Sequence, residues 1–424
     1  MPDANDRTAP IATARLPLEG IRVLELGNYI AAPTAGRIFA DFGAEVIKVE
    51  RPGTGDELRQ WRLQSGTTSM LWRTMNRNKK CITLNLRSEE GRGIVLDLIR
   101  HCDVVIENFR PGTLERWGLG PEEMKRVRPD VILVRISGYG QTGPYRDRPG
   151  FGSVAEAMGG LRLLTGDPDR PPSRVGISLA DTISGMYSVI GALMILLQRA
   201  RTGETAGTGP LHDGAPAVVD VALYESVLSL MESLLPDFDA HGVRRQRTGG
   251  RLEGIAPSNT YLCRDDVWVI IGGNGDAIFL RLMEVIGRPD LAADPELASN
   301  PGRWKRRDEL DEAITAWTRQ HDSAEVLETL ERAGVPSGPI YDAEGIRDDP
   351  HFRERGMVQM HPVSDGERDL GEVSFPGIVP RLGEEAAMIR WLGPDLGEHN
   401  EEIYGQLLGL DEERRAALRE TGVI

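Results

Sequence analysis

Between residues 21 and 50 the chain reads IRVLEL, GNYIAAPTAGRIFADFG and AEVIKVE: an apolar strand, a segment with helical spacing, and a second apolar strand of similar length. A strand that is nearly continuous in apolar residues has no face to give to water, so it belongs inside a sheet covered on both sides. The alternation returns with CITLNL at 81–86, SEEGRGIVLDLIRHC, DVVIENF at 103–109, a helical stretch carrying Trp117 and Met124, and VILVRIS at 131–137. Ser88 is placed to cap the helix between the first two of these strands, with Glu89 and Glu90 in its first turn. The pattern predicts an α/β fold with a mostly parallel sheet and helices on both faces.

From about residue 200 the pattern changes. RTGETAGTGPLHDGAPA reads as an exposed connection. VVDVAL and the apolar-periodic ESVLSLMESLL follow. Next come SNTYLCR and VWVIIGG, with Asp265 and Asp266 as a hairpin turn between them, and then the helices DAIFLRLMEVIG, RRDELDEAITAWTRQH and SAEVLETLERAG. Strands followed by a block of helices predict a smaller α+β domain. After about residue 345 the chain is turn-rich and partly β, closing with EEIYGQLLGL and EERRAALRE.

Charge and cysteine content narrow the partners. With 65 acidic residues against 50 Lys and Arg the net charge is −15, which argues against nucleic acid or an anionic membrane. The first sixteen residues carry no sustained apolar stretch and read as a loose tail, not a secretory signal. The nearly apolar run from Met186 to Leu197 falls short of the roughly 20 residues that span a bilayer. Cys81, Cys102 and Cys263 fit neither a disulfide framework nor a zinc knuckle, so a reducing cytoplasm is the expected compartment. The seven histidines show no metal-ligand spacing, and no metal is expected. GYGQTG at 138–143 satisfies GxGxxG after a strand, but Pro144 and Pro149 oppose the helix that a dinucleotide site requires. It reads as a turn.

VGISLADTISGMYSVIGAL, from residue 175, sets a single acid before apolar residues at helical spacing. Asp181 reads in two compatible ways. It is a good N-cap, its carboxylate accepting from the free N–H groups of the helix start. It is also a candidate nucleophile, because a carboxylate held ionised and aimed at a helix start can attack an activated acyl group.

Several segments together resemble one family. LEGIRVLELGNYIAAPTAGRIFADFGAEVIKVERPGTGDELR, MNRNKKCITLNLRSEEG, DVVIENFRPGTLERWGL, VILVRISGYGQTGPYRDRPGF and VGISLADTISGMYSVIGAL are, in this order, similar to the family III coenzyme A transferases, which include formyl-CoA transferase, carnitine CoA-transferase and the α-methylacyl-CoA racemases. GVPSGPIYD and LGEHNEEIYGQLLGL extend the likeness over essentially the whole chain.

The resemblance implies a Rossmann-like large domain plus a smaller α+β domain, two chains interlocking as a homodimer, with each active site between the large domain of one and the small domain of the other. The expected boundaries are a disordered tail 1–16, the first part of the large domain 17–212, a linker and helix 213–244, the small domain 245–342, and a return linker with the rest of the large domain 343–424. The family's catalytic aspartate falls on Asp181. By resemblance it forms an aspartyl anhydride and then an aspartyl-CoA thioester with an acyl-CoA donor. CoA binding carries over to Arg51 and Arg116 at the nucleotide end, with Lys79 in NRNKK a further candidate. Ile30 and Ala31 fall beside the pantetheine arm, and Asn108 and Phe109 line the same cleft by their backbone.

Departures bear on substrate choice. Phe151 and Gly152 stand where the racemases have His and Asp, and where formyl-CoA transferases have Tyr and Glu; Ile30 replaces the latter's Gln. A racemase needs a base on each face of the α-carbon, and one is missing here. The expectation is therefore an acyl-CoA:carboxylate CoA-transferase acting on an acyl-CoA donor such as succinyl-CoA and a small carboxylic or dicarboxylic acid. A 2-methylacyl-CoA racemase and a noncatalytic acyl-CoA binding protein are the alternatives. Arg244, Arg245, Arg247 and Arg251 either bind a distal carboxylate or form a solvated basic face. GGNGDAIF, from Gly272, is either a mobile loop near the acyl group or a turn with Asp276 as N-cap. No function is assigned to the long connection 203–216.

Overall fold

The computed structural model describes residues 16–66, 68–203, 217–364, 368–383 and 387–424. The tail expected over residues 1–16 and the connection 203–216 fall almost wholly outside these residues. Two compact units are present. The first comprises residues up to 159, 176–231 and 351–424; the second comprises 160–175 and 232–350.

The first unit is built on a six-stranded parallel sheet: β1 (Arg22–Glu25), β2 (Glu45–Glu50), β3 (Lys80–Thr83), β4 (Val104–Glu107), β5 (Ile132–Ser137) and β6 (Ala217–Ala222), in the order β3-β2-β1-β4-β5-β6. That is the order of a doubly wound dinucleotide-type sheet. The near-continuous apolar runs are explained by burial on both faces, with Leu24, Ile47, Ile82, Val105 and Leu133 in one cluster. Helix α1 (Ala31–Asp41) packs against α3 (Leu179–Thr202), which also lies on β5 and β6. Helix α2 (Glu89–Ile99) starts on Ser88, whose Oγ accepts from the Gly91 N–H at 3.0 Å, and it buries Ile94, Val95, Leu98 and Ile99 in the Leu24 cluster. Tyr404, Leu418, Val423 and Ile424 of the C-terminal tail join the same core, and the Tyr404 hydroxyl donates to the Thr83 carbonyl at 2.6 Å.

Helix α3 corrects one sequence expectation. It runs for 24 residues and, by length and hydropathy, is long and apolar enough to cross a membrane, whereas the sequence reading counted only residues 186–197. Here its Ser184, Gly185, Ser188, Val189 and Ala192 side is buried.

The second unit pairs β7 (Ser258–Leu262) with β8 (Trp268–Gly272) and β8 with β9 (Ser337–Pro339), all antiparallel. Asp266 takes φ +60° in the expected hairpin turn. Helices α4 (Asp276–Val285), α5 (Arg307–Thr318) and α6 (Ser323–Arg332) close a core around Val269, Ile271, Phe279, Leu310 and Leu330. Residues 160–175, expected in the large domain, belong to this unit. The Gly249 N–H donates to the Gly166 carbonyl and the Arg247 guanidinium to the Asp167 and Leu163 carbonyls. The unit boundaries at 231/232 and 350/351 likewise differ from the expected 244/245 and 342/343.

Two glycines in helices of the first unit give opposite predictions. A β-carbon on Gly36 in α1 would overlap Glu25 Oε2, whereas one on Gly93 in α2 meets nothing. Gly36→Ala should cost about 3 kcal/mol or more by breaking a buried ion pair. Gly93→Ala should gain about 0.5–1 kcal/mol. Urea unfolding of the two variants checks this; a Gly36→Ala protein as stable as wild type would contradict the packing.

Candidate active site

The sheet order reverses between β1 and β4, and in such sheets ligands lie outside the carboxyl ends of the strands at that point. A cleft of about 580 Å³ opens there. It is lined by Leu26 and Asn28 after β1, by residues 49–52 at the end of β2, by residues 84–87 after β3, and by Phe109, Arg110, Thr113 and Trp117 after β4. Three guanidinium groups, from Arg51, Arg87 and Arg110, border it. Arg51 pairs with Glu57, while Arg87 and Arg110 have no ion pair among the described residues. On a chain of net charge −15 this is a local positive site suited to a polyanion.

Beneath the cleft lies a buried charge network. Lys48 Nζ is 3.0 Å from Glu25 Oε1, 2.9 Å from Asp56 Oδ2, and donates to the Gly27 carbonyl at 2.8 Å. Arg59 forks onto Glu50 at 2.7 and 2.8 Å with its guanidinium 3.8 Å from the Trp72 ring centroid. Lys79 Nζ is 2.8 Å from Glu25 Oε2 and donates to the Pro33 carbonyl and Asn76 Oδ1. Burial alone would lower the Lys48 pKa; Asp56 and Glu25 more than reverse this, and it ends above its ordinary value. Burial pushes Lys79 down to about 8, with Glu25 offsetting only part.

This network fixes the loop between β1 and α1. Lys48 holds the Gly27 carbonyl, and Asp56 Oδ1 accepts from the Tyr29 N–H at 3.2 Å. Asn108 grips Asn28 at both ends, accepting from its N–H at 2.9 Å and donating to its carbonyl at 2.7 Å. Tyr29 turns the chain into α1 with φ +65°, a conformation rare for a bulky side chain. A second buried set holds the β4 end: Glu107 pairs with Arg135 at 2.8 Å and accepts from the Phe109 N–H at 2.7 Å, while Arg135 also pairs with Glu115.

Asp181 is not the N-cap of α3. That position is Ser178, and Asp181 stands three residues on, in the first turn. Its Oδ2 occupies the space a β-carbon on residue 152 would need, so a larger residue at 152 would displace the carboxylate from this seat. One turn further along α3, Gly185 meets α1 at the Ala31 carbonyl and Thr34. The helix start that carries Asp181 is thereby set beside the Tyr29–Ala31 segment. Phe151, just before Gly152, is 69% exposed and lies edge-on to Tyr29, with ring centroids 6.4 Å apart.

The other sequence-predicted residues fall as follows. Arg51 and Phe109 line the cleft. Arg116 is exposed and donates to Thr113, which lines it. Ala31 begins α1, and Ile30 is buried with Leu58, Trp72, Met75 and Cys81, so its side chain serves the core. Lys79, expected at the nucleotide end of CoA, is wholly buried in its pair with Glu25 and does not line the cleft. Residues 84–87 and Arg110, not singled out from sequence, do line it; their signal was their place just beyond apolar strands. In the second unit Asp276 is the first residue of α4, and Gly275 is its N-cap; the Asp276 carboxylate instead pairs with buried Arg303 at 2.6 Å. Arg245 pairs with Glu232 and Glu253, and Arg251 with Asp308 and Asp311, which ties them to their own unit. GYGQTG forms a turn: Ser137 Oγ accepts from the Gly140 N–H, and Asp220 from the Gln141 N–H.

Residues 18–400 match the family model described as CoA-transferase family III. Over 409 residues the chain is 46% identical to succinyl-CoA–D-citramalate CoA-transferase of Chloroflexus aurantiacus, covering 96% of this chain and 98% of that protein. It is 33% identical to succinyl-CoA:glutarate CoA-transferase of Mus musculus, covering 96% and 90%. Among solved structures, a CAIB/BAIF family protein from Brucella suis aligns with a TM-score of 0.79 at 33% identity, covering 93% of this chain and 100% of that one.

Asn108→Ala removes both bonds that hold Asn28. It should weaken CoA binding roughly tenfold, about two net hydrogen bonds' worth, with the fold intact. Calorimetric titration with CoA checks this; unchanged affinity would show that the loop does not shape the site.

Proposed function

The chain belongs to CoA-transferase family III and is a CoA-transferase; we propose that it moves CoA from succinyl-CoA to a small carboxylic or dicarboxylic acid through covalent intermediates on Asp181. The carrying observation is the seat of the Asp181 carboxylate over Gly152, at a helix start, next to Phe151, whose ring lies edge-on to Tyr29. Relatives whose names specify succinyl-CoA with citramalate, malate or glutarate support the donor and the dicarboxylate class.

An Asp181 oxygen attacks the thioester carbonyl; a C–O bond forms, the C–S bond breaks, and CoA leaves as thiolate from a mixed anhydride. The thiolate attacks the Asp181 carbonyl of that anhydride, releasing succinate and leaving an aspartyl-CoA thioester. The acceptor carboxylate attacks this thioester, expelling the thiolate and forming a second anhydride. Thiolate attack on the acceptor's acyl carbon then frees Asp181 and gives the new acyl-CoA. No net proton is consumed. The activation of the thioester is carried through covalent steps and not lost to water, provided the site excludes it. Arg51, Arg87 and Arg110 bind the phosphates, and Asn28 and Phe109 flank the pantetheine arm.

The same reading makes the protein a homodimer. Met186, Ile190, Met194 and Leu197 form an exposed apolar stripe on α3, 44–65% exposed, opposite its buried face. A second copy covers it. Light scattering should give twice the monomer mass, and a monomer at micromolar concentration would contradict this.

A mass-spectrometric exchange assay in heavy water tests the activity. Succinyl-CoA and 2-methylacyl-CoA are offered with a panel of mono- and dicarboxylic acids. New thioesters should require both an added acid and Asp181, with Asp181→Ala inactive yet still binding CoA. Deuterium at the α-carbon without a new thioester would make the protein a racemase instead.

A further inference from the structure

Tyr29 is the residue in the site that violates a local rule. A left-handed backbone costs an L side chain about 1–2 kcal/mol, and glycine would take the turn freely. Strain of this kind persists where the surroundings enforce it, and here Asp56 and Lys48 do so through the Tyr29 N–H and the Gly27 carbonyl. The conformation throws the ring across the loop. One edge meets Phe151, and the other side meets Trp61 at 5.4 Å between centroids. The Tyr29 N–H bond to Asp56 sets the residue beside the Asp56–Glu57 segment, and burial, followed by the Glu57 carboxylate, raises the phenol pKa and keeps it a donor. Glu57 is the partner of Arg51, and its Oε2 is buried with no hydrogen bond.

The geometry points to Tyr29 as a positioning residue that joins the Arg51 side of the cleft to the seat of Asp181, an inference resting on Arg51 as a phosphate ligand and Asp181 as nucleophile. A CoA phosphate must take Arg51 from Glu57. The Tyr29 hydroxyl then serves Glu57 as donor, so its buried Oε2 is not left uncompensated. The same ring braces Phe151, and through it the backbone at Gly152 over which the Asp181 carboxylate lies. Occupancy of the nucleotide end is thereby linked to the placement of the acyl end by a single side chain.

The test compares Tyr29→Phe and Tyr29→Gly with wild type, using succinyl-CoA and the truncated donor succinyl-pantetheine, which has no nucleotide phosphates. Tyr29→Phe keeps the ring and removes the donor. Its KM for succinyl-CoA should rise roughly three- to tenfold at unchanged kcat, while its KM for succinyl-pantetheine stays at the wild-type value. A general structural role would move both donors alike. Tyr29→Gly relaxes the backbone and removes the brace, and its kcat should fall roughly tenfold or more with both donors. Unchanged KM for succinyl-CoA in Tyr29→Phe, or an equal rise for both donors, overturns the exchange of partners at Glu57. Wild-type kcat in Tyr29→Gly overturns the brace, and should that variant not fold, the Tyr29→Phe split decides. Asp181→Ala, run alongside, separates these outcomes from failure of the nucleophile assignment: if it still transfers CoA, the underlying reading is wrong whatever Tyr29 does.

Discussion

An ammonium group with no access to water holds the site together. Lys48 is wholly buried, and a lone charge there would be prohibitively costly. It is kept by Glu25, Asp56 and the Gly27 carbonyl, within a set of three carboxylates and three cations in which Lys79 and Arg59 complete the balance. Such a set adds little net stability over an apolar core, but removing one member strands the others. Its return is geometric. Doubly wound sheets that bind dinucleotides make the first turn with glycines; here ionic contacts fix the turn, which leaves it free to carry a tyrosine.

The helix that carries Asp181 is brought to that turn by the opposite device, the absence of side chains. Gly185 lets α3 close on the first turn of α1, and Gly152 leaves room for the Asp181 carboxylate. Charge holds one wall of the site and missing β-carbons set the distance to the other. The β4 end repeats the first device on a smaller scale, with Glu107 joining Arg135 to the Phe109 N–H and Arg135 reaching on to Glu115.

Much of this was legible in the sequence. Five of the six strands of the parallel sheet were readable because burial on both faces demands apolar runs; the sixth, Ala217–Ala222, fell in the expected linker, since as an edge strand it alternates buried and exposed residues around Asp220. Ser88 announced its helix by cap chemistry alone. Asp181 stood out as an isolated acid in an apolar setting, though its place in the first turn, not at the cap, needed the backbone. The network was not legible. Glu25, Lys48 and Lys79 sit on separate elements, and only strand order brings them together, so Lys79 in the polar string NRNKK read as an exposed phosphate ligand. Asp276 misled for a related reason: its salt bridge to Arg303, made across the small unit, competes with local capping. Residues 160–175 carry no signal of which unit they join, because backbone hydrogen bonds, not apolar spacing, attach them.

The most direct test of the central claim is to look for the covalent intermediate itself. The protein is mixed with succinyl-CoA without acceptor, quenched in acid within a turnover, digested and analysed by mass spectrometry. The account predicts that the peptide containing Asp181 carries CoA as a thioester, and that adding an acceptor acid before the quench discharges it. CoA exchange proceeding at full rate with Asp181 unmodified, or with the adduct on another residue, would contradict it.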